Sequence, residues 1–494
     1  MTISKAMNIS LTGLNANQAA LNVVSHNIAN INTEGYVRQR ANFVEMRTAT
    51  RDGSVSGQIA SLAGVRIGSI TTAANDYINN YYRTQNSKLQ GLLSEADTAG
   101  QIADLMDELK GTGLGDALND FFSAANSLNQ NPTDYSLRVN YAQKAKAVTT
   151  KFNAMSSNIT KLRESKIGNG EATGESAKAS EAGTYVNQFN SYIKQLETVN
   201  KQITSRPEDA GLQTQRDQIL SQLSNLANVT TSLNPSGTAN VKIGDIDILK
   251  HCEIQTEINI TANGRIVAEN ATGKTVDITD NITEGSLGGT LKSISTIDDA
   301  MKDIDALAKA FAEKMNEIQT KDNGTGTPCS YNRTADQLEK STENLFKIGD
   351  GSPDFTASNI TINDEILKNP DLIAAARVDT NVTGWEKSVG NGDNALEMYN
   401  VQNEKLGALN GLTLNDYIIS LGTKFALEAS QKANDAEIQG GIVDGIHNQI
   451  LSETGVNLDE ELSNMIIYQQ AYNASARVFS ACVEVFDTLV NLGT

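Results

Sequence analysis

The amino-acid sequence predicts a mainly α-helical protein with β insertions, on three observations. Heptad-like rows of apolar residues run through both ends of the chain. Helix-period segments fill most of the interval between them. Period-two stretches interrupt that interval in two places. The implied units are terminal helices that pair as a coiled coil, an elongated helical bundle, and one or two small β-rich inserted domains. Their nested boundaries are residues 1–50 with 450–494 for the terminal pair, and 51–235 with 296–322 and 392–449 for the bundle. A β-rich insertion takes 236–295, and a second small β-containing insertion takes 323–391. A length of 494 residues agrees with several units, since single cores stop growing near ~250–300 residues. No long-period repeat points to a solenoid.

The first helix is read from Met7, Leu11, Leu14, Leu21 and Ile28, with Gln18 and Ser25 filling the same row. The steps of four and three keep these residues on one face. The stretch "NIANINTEGYVRQR" then ends it as an elbow. Asn27, Asn30 and Asn32 carry side chains suited to the unpaired backbone groups of a helix end. Thr33 leads into Gly35, which permits a positive φ, so that Tyr36 redirects the chain. Val37 is expected to pack, while Arg38 and Arg40 meet acidic neighbours.

Helical patterning follows from about Tyr77 to Leu128, then past the Pro132 loop to about Lys166. "GNGEATGESAKASEAG" reads as an exposed helix or a linker, before helical runs at Tyr185–Thr204 and Glu208–Asn228. Val241, Ile243, Ile246 and Ile248 alternate with polar residues, and Asn263-Gly264 sits between two alternating runs as a hairpin signal. A helix from about Ile297 to Lys321 interrupts, and "NLFKIGDGSPDFTASNITINDEI" reads as the second β excursion. Helical patterning resumes near Asn394, with a break expected at Gly440-Gly441.

The last helix is expected over Leu458–Asn491. Its row is Leu462, Met465, Tyr472, Ala476, Phe479, Val483, Phe486 and Val490, with Gln469 the polar interruption. Asn457 is its N-cap, and Glu460 three residues on completes a capping box. Asp459, Glu460 and Glu461 place negative charge at the positive end of the helix dipole. Such a helix is about 50 Å long at ~1.5 Å per residue.

Composition narrows the function classes. A net charge of −19 argues against nucleic acid or an anionic membrane as partner. Aromatics make up only 5%, with Trp385 the single tryptophan. Cys252, Cys329 and Cys482 lie far apart, and His26, His251 and His447 are not spaced as a ligand cluster. The chain shows no G-x-S-x-G, P-loop or H-E-x-x-H motif. The carboxylates of "GDIDIL" and "SPDF" read as solvated turns, and the loops "KDNGTGTPC" and "NGDN" lack an EF-hand ligand series. No catalytic, metal-binding or cofactor-binding residue is therefore assigned, and no cofactor is expected. The start, "MTISKAMNISLTGLNANQ", holds no uninterrupted apolar h-region, and no apolar run reaches ~18 residues. Composition alone would place the chain in the cytoplasm.

Two rows at the extremities, too poor in large residues to form a bundle alone, read either as two ordinary surface helices on a globular core or as helices that pair with each other and with copies of the chain. The stretch "GLNANQAALNVVSHNIANINTEGYVRQR" resembles the N-terminal signature of the bacterial flagellar axial proteins, the rod, hook and hook-associated family. "GVNLDEELSNMIIYQQAYNASARVFSACVEVFDTLVNL" is similar to its C-terminal end. Leu212–Val229 and Glu284–Asn316 resemble internal regions of its hook-associated, junction-forming branch. The likeness is strong at both ends, patchy in the middle and weakest in the β insertions.

The resemblance implies a structural adaptor between hook and filament, not an enzyme. It implies that Asn27, Ile28, Ala29, Asn30, Asn32, Thr33, Gly35 and Tyr36 form the elbow between an inner helix and an outer domain. It also implies that Tyr468, Gln469, Gln470, Ala471, Tyr472, Ala474, Ser475, Ala476 and Arg477 lie on a helix lining an inner tube. The implied partners are copies of the chain, the hook protein, a second hook-associated junction protein, and an export chaperone on the C-terminal helix. Neither nucleic acid nor membrane is among them. Location at the extracellular flagellum after type III export, without a cleaved signal peptide, replaces the cytoplasmic reading. The alternatives are another axial protein of hook or filament type, and a secreted adhesin or hydrolase carried on such a scaffold.

Overall fold

The computed structural model describes residues 3–33, 36–48, 61–72, 76–107, 113–207, 209–324 and 326–491. Helix α1 (Ile3–Ala29) is followed by strands β1 (Gln39–Thr48) and β2 (Ser61–Thr72), which pair as an antiparallel ribbon. Helices α2 (Asp76–Asp107), α3 (Leu114–Gln130), α4 (Tyr135–Ile167), α5 (Glu175–Ala179), α6 (Glu181–Ser205) and α7 (Ala210–Leu226) come next. The first β region holds β3 (Val229–Leu233), β4 (Ala239–Ile243), β5 (Ile246–Lys250), β6 (Glu253–Ile254), β7 (Thr256–Ile260), β8 (Ile266–Asn270) and β9 (Thr275–Asp277). Helix α8 (Gly285–Thr320) leads to β10 (Thr327–Asn332), β11 (Gln337–Lys340), β12 (Phe346–Ile348), β13 (Ile360–Ile362), α9 (Asp364–Lys368) and β14 (Ala376–Val378). Helices α10 (Asp393–Asn400), α11 (Leu414–Thr454) and α12 (Leu458–Asn491) complete the chain. The protein is thus mainly α, with small antiparallel sheets set into it.

The largest core joins α2, α3, α4, α8, α10 and the start of α11. At its centre Phe121 lies 5.4 Å from Phe311 and 4.8 Å from Tyr141, and Phe311 lies 5.1 Å from Phe346. All four side chains are fully buried, and such aromatic clusters dominate core energetics. Beyond this core α2 and α11 continue as an antiparallel pair. The Gln439 amide donates to the Gln85 carbonyl oxygen (2.9 Å), and Lys432 pairs with Glu95 (2.5 Å).

A second core packs α6 and α7 on the sheets β3-β4-β5-β6 and β7-β8-β9. Strands β7 and β8 pair from Thr256↔Asn270 to Ile260↔Ile266, and Gly264 has φ +75° in the connecting turn, so Asn263-Gly264 closes a hairpin. The later sheet, β11-β10-β14, covers a small cluster of Cys329, Leu338 and Ala376.

A recurrent device fixes strands to helices. A buried or half-buried helical asparagine accepts from the N–H and donates to the C=O of one and the same partner residue. Asn190 does this to Ile258, Asn200 to Ala239 and Asn316 to Phe346. Each pair satisfies backbone groups that a sheet edge would otherwise bury unbonded.

Three expectations about the secondary-structure elements differ from the structure. Helix α8 starts at Gly285, not near Ile297, because the Gly-rich run "EGSLGG" is a helix crossing. A Cβ on Gly289 would lie 2.2 Å from the Gly91 carbonyl oxygen of α2, so glycine permits the approach. Helix α11 runs unbroken through Gly440-Gly441, its packing on α2 outweighing the intrinsic cost of glycine; the break falls after Thr454. Finally, the ribbon β1–β2 was not expected, although Gln39–Thr48 carries strand-like residues.

Candidate assembly interface

Helices α1 and α12 pack antiparallel: Asn27 touches Glu461, and Gly13 touches Ser475. The face of α1 buried within the chain is Ser10, Gly13, Ala16, Asn17, Ala20, Val23, Val24 and Asn27. It is a row of small residues, and close approach is its purpose. A Cβ on Gly13 would sit 3.0 Å from the Ser475 hydroxyl oxygen. The expected row lies beside it: Met7, Leu14, Leu21 and Ile28 are half-buried and Leu11 is exposed.

On α12 the side facing inward carries Glu461, Tyr468 and Ser475. Met465, Tyr472, Ala476, Phe479 and Val483 are half-buried on that same side. Leu462 and Phe486 are exposed, and the side chain of Val490 lies outside the described residues. The opposite side is a second apolar row, Ile467, Ala474, Val478, Ala481 and Val485, all exposed. Its steps of seven, four, three and four keep it on one line of the helix. This outer row was legible in the periodicity, but the inner row of larger residues masked it. Between Leu458 and Thr488 the only fully buried residue of α12 is Glu461.

The elbow centres on Asn27, which is 1% exposed. Its amide donates to the Gln39 carbonyl oxygen (2.9 Å) and to Glu461 Oε2 (3.1 Å). Its carbonyl oxygen accepts from the Gln39 N–H (3.0 Å) and the Tyr36 hydroxyl (2.8 Å). All four positions of the amide are used, and the clamp on Gln39 repeats the asparagine device that fixes strands to helices in both cores. Asn30 donates to the His26 carbonyl oxygen (2.9 Å) and accepts from Thr33 Oγ1 (3.2 Å), so it closes the end of α1. Asn32 is exposed, and Gly35 lies outside the described residues.

Arg38 ties this turn to α12. Its Nε donates to Glu461 Oε1 (2.7 Å), its Nη1 to Glu460 Oε2 (2.5 Å), and its N–H to the Thr454 carbonyl oxygen (3.0 Å). Asn457 Oδ1 caps α12 by accepting from the Asp459 N–H (2.9 Å) and the Glu460 N–H (3.3 Å). The Glu460 carboxylate therefore serves Arg38. Burial lowers the Arg38 pKa, but the hydrogen bonds and charges of Glu460 and Glu461 outweigh it and raise the pKa overall. Burial and the Glu461 charge push the Tyr36 hydroxyl up to about 12. Arg40 is exposed. The parts of this network that sequence reading missed are Glu461, read only as a dipole partner, and Phe43, whose ring stacks 5.8 Å from Tyr468.

Among the described residues no group of three His, Cys, Asp or Glu side chains is placed to hold a metal, and no helix is long and apolar enough to cross a membrane.

The paired terminal helices and their elbow coincide with segments similar to the terminal modules of flagellar axial proteins. Two family models carry the likeness: "Flagella basal body rod protein" matches residues 7–36 and "Flagellar basal body rod FlgEFG protein C-terminal" matches 447–492. A third, "Flagellar hook-associated protein FlgK helical domain", matches residues 99–328. The flagellar hook-associated protein 1 of Bacillus subtilis is 27% identical over 97% of this chain and 96% of that protein. The protein of the same name from Salmonella typhimurium is 26% identical over 99% and 100%. The flagellar hook junction protein FlgK from Burkholderia pseudomallei superposes with a TM-score of 0.59 at 15% identity, covering 75% of this chain and 99% of that one. Over nearly its whole length the chain is thus similar to proteins named flagellar hook-associated protein 1.

Proposed function

We infer that the chain is a structural component of the bacterial flagellum that joins hook to filament, and that its terminal helix pair is the part that does the joining. The observation that carries this reading is the outer row of α12, Ile467, Ala474, Val478, Ala481 and Val485, left open to solvent in the single chain. Burying an apolar row against a neighbour is favourable by about 25 cal/mol per Å², and a repeat of copies around an axis covers every such row at once. The elbow sets the direction of each helix pair, because Asn27, Arg38, Glu460 and Glu461 bind α1, the ribbon and α12 into one piece.

On this reading Met7, Leu11, Leu14, Leu21 and Ile28 complete the seam on the α1 side. Leu462, Met465, Tyr472, Ala476, Phe479, Val483, Phe486 and Val490 complete it on the α12 side. Copies of the chain, hook protein and a second junction protein are the molecules that meet it. The same exposed row gives a cytoplasmic export chaperone its docking face, and export proceeds without signal cleavage. The ends form the terminal domain, while the bundle and β insertions face outward.

Val478→Asp tests the assignment. Val478 is 52% exposed, so the variant folds as the parent does but places a charge on the outer row. The expected result is a folded monomer absent from flagella and a non-motile cell; normal motility would overturn the reading.

A further inference from the structure

The stalk formed by α2 and α11 carries an apolar face that nothing among the described residues covers. Ile438 is 66% exposed and Ile442 43%, one turn apart on α11. Gly441 and Gly445 lie between and after them, with no atom within 4 Å of where a Cβ would be. Glycine inside a helix costs stability relative to alanine. Gly440 faces Leu89 of α2, but among the described residues no neighbour calls for glycine at 441 or 445. What those two positions create is a flat shelf on which another backbone approaches closely. Glu437 and Asp444 flank the shelf, both exposed and without a cationic partner among the described residues.

The ribbon β1–β2 carries the complement. Val44 and Arg66 are cross-strand partners, so they project on one face of the ribbon, and both are exposed. Arg66 has no acidic partner among the described residues, and neither has Arg40 at the base of the ribbon. An apolar side chain beside an unpaired cation thus stands against a shelf of apolar side chains beside unpaired anions. In a chain of net charge −19, copies repel unless their few free cations meet acidic surface, and charge pairing of this kind fixes which patches meet.

We propose that the ribbon of one copy lies on the α11 shelf of the next, with Val44 on Ile438 and Ile442, and Arg66 between Glu437 and Asp444. This lateral contact rests on the reading of the chain as a flagellar structural component that assembles with copies of itself. It adds a contact outside the terminal helices, and it assigns the ribbon a task that the elbow does not need.

The test is disulfide trapping in purified flagella from cells carrying Val44→Cys with Ile442→Cys. The expected result after mild oxidation is a ladder of multimers that either single variant and the parent chain lack. Monomer alone, with the chain present in the flagella, would overturn the contact and leave the hook–filament reading intact. Absence of the parent chain from flagella would overturn both. If the double-cysteine chain fails to incorporate, Arg66→Glu decides: incorporation should fall at least tenfold and return when Asp444→Arg is added. An Arg66→Glu chain that incorporates normally, or one that Asp444→Arg leaves unrescued, would contradict the contact.

Discussion

The bundle core and the terminal helix pair are built from the same secondary structure to opposite ends. In the bundle, Phe121, Phe152, Phe311 and Phe346 are fully buried among α3, α4 and α8, and the fold closes on itself. In the terminal pair, small residues let α1 and α12 approach, while apolar side chains of α12 stay on the outside. A large hydrophobe stabilises the element that buries it. An exposed row of them stores that gain for a later partner. The difference teaches that apolar periodicity marks a helix as needing a neighbour without saying whether the neighbour is in the same chain.

The comparison breaks most readily at the bundle. Phe311→Ala should destabilise the chain by about 3–5 kcal/mol, seen as a large drop in the thermal midpoint of the central region. A loss under about 1 kcal/mol would mean that this core is loosely packed.

A smaller loss is expected at the elbow. Glu461→Ala leaves Arg38 with only the exposed Glu460 as ionic partner and deprives the Asn27 amide of one acceptor. The expected cost is about 1–3 kcal/mol, confined to the terminal pair. Limited proteolysis should cut first at Gly455–Leu458 in the variant and leave the bundle intact.

The elbow should also respond to alkali. The Tyr36 hydroxyl is held up to about 12 in the fold, against about 10 for a free tyrosine. Its neutral form is favoured in the folded elbow, so its contribution is complete below pH 10 and is lost as pH rises towards about 12. Hydrogen exchange around residues 26–40 should quicken over that window, and Tyr36→Phe should remove that part of the response.

The smallest effect on the monomer is expected on the outer row, where Val478→Asp should change stability by under about 0.5 kcal/mol while assembly fails. A monomer destabilised as strongly as by Phe311→Ala would mean that Val478 is covered within the chain.

Much of this was legible in the sequence, for identifiable reasons. The start of α12 announces itself through Asn457 and the three acidic residues after it, and Asn263-Gly264 marks a hairpin because few other pairs tolerate its backbone. The start of α8 was hidden, since glycines that permit a helix crossing look like glycines that permit a turn. The buried face of α1 was hidden for a related reason. Gly13, Ala16, Asn17 and Ala20 contribute little hydrophobicity, so the eye goes to Leu11, Leu14 and Leu21 beside them. The asparagine density of the elbow was visible, but its cause was not. Asn27 acts with Arg38 and Glu461, residues that only folding brings together.

Hydrogen exchange of α12 in the free chain and in intact flagella tests the central claim most directly. Protection across Ile467–Val485 should be weak in the monomer, far below that of α8, and should rise to the level of the bundle in flagella. Equal, strong protection of that segment in both states would contradict the account, because it would mean that the terminal helix is already complete before any neighbour arrives.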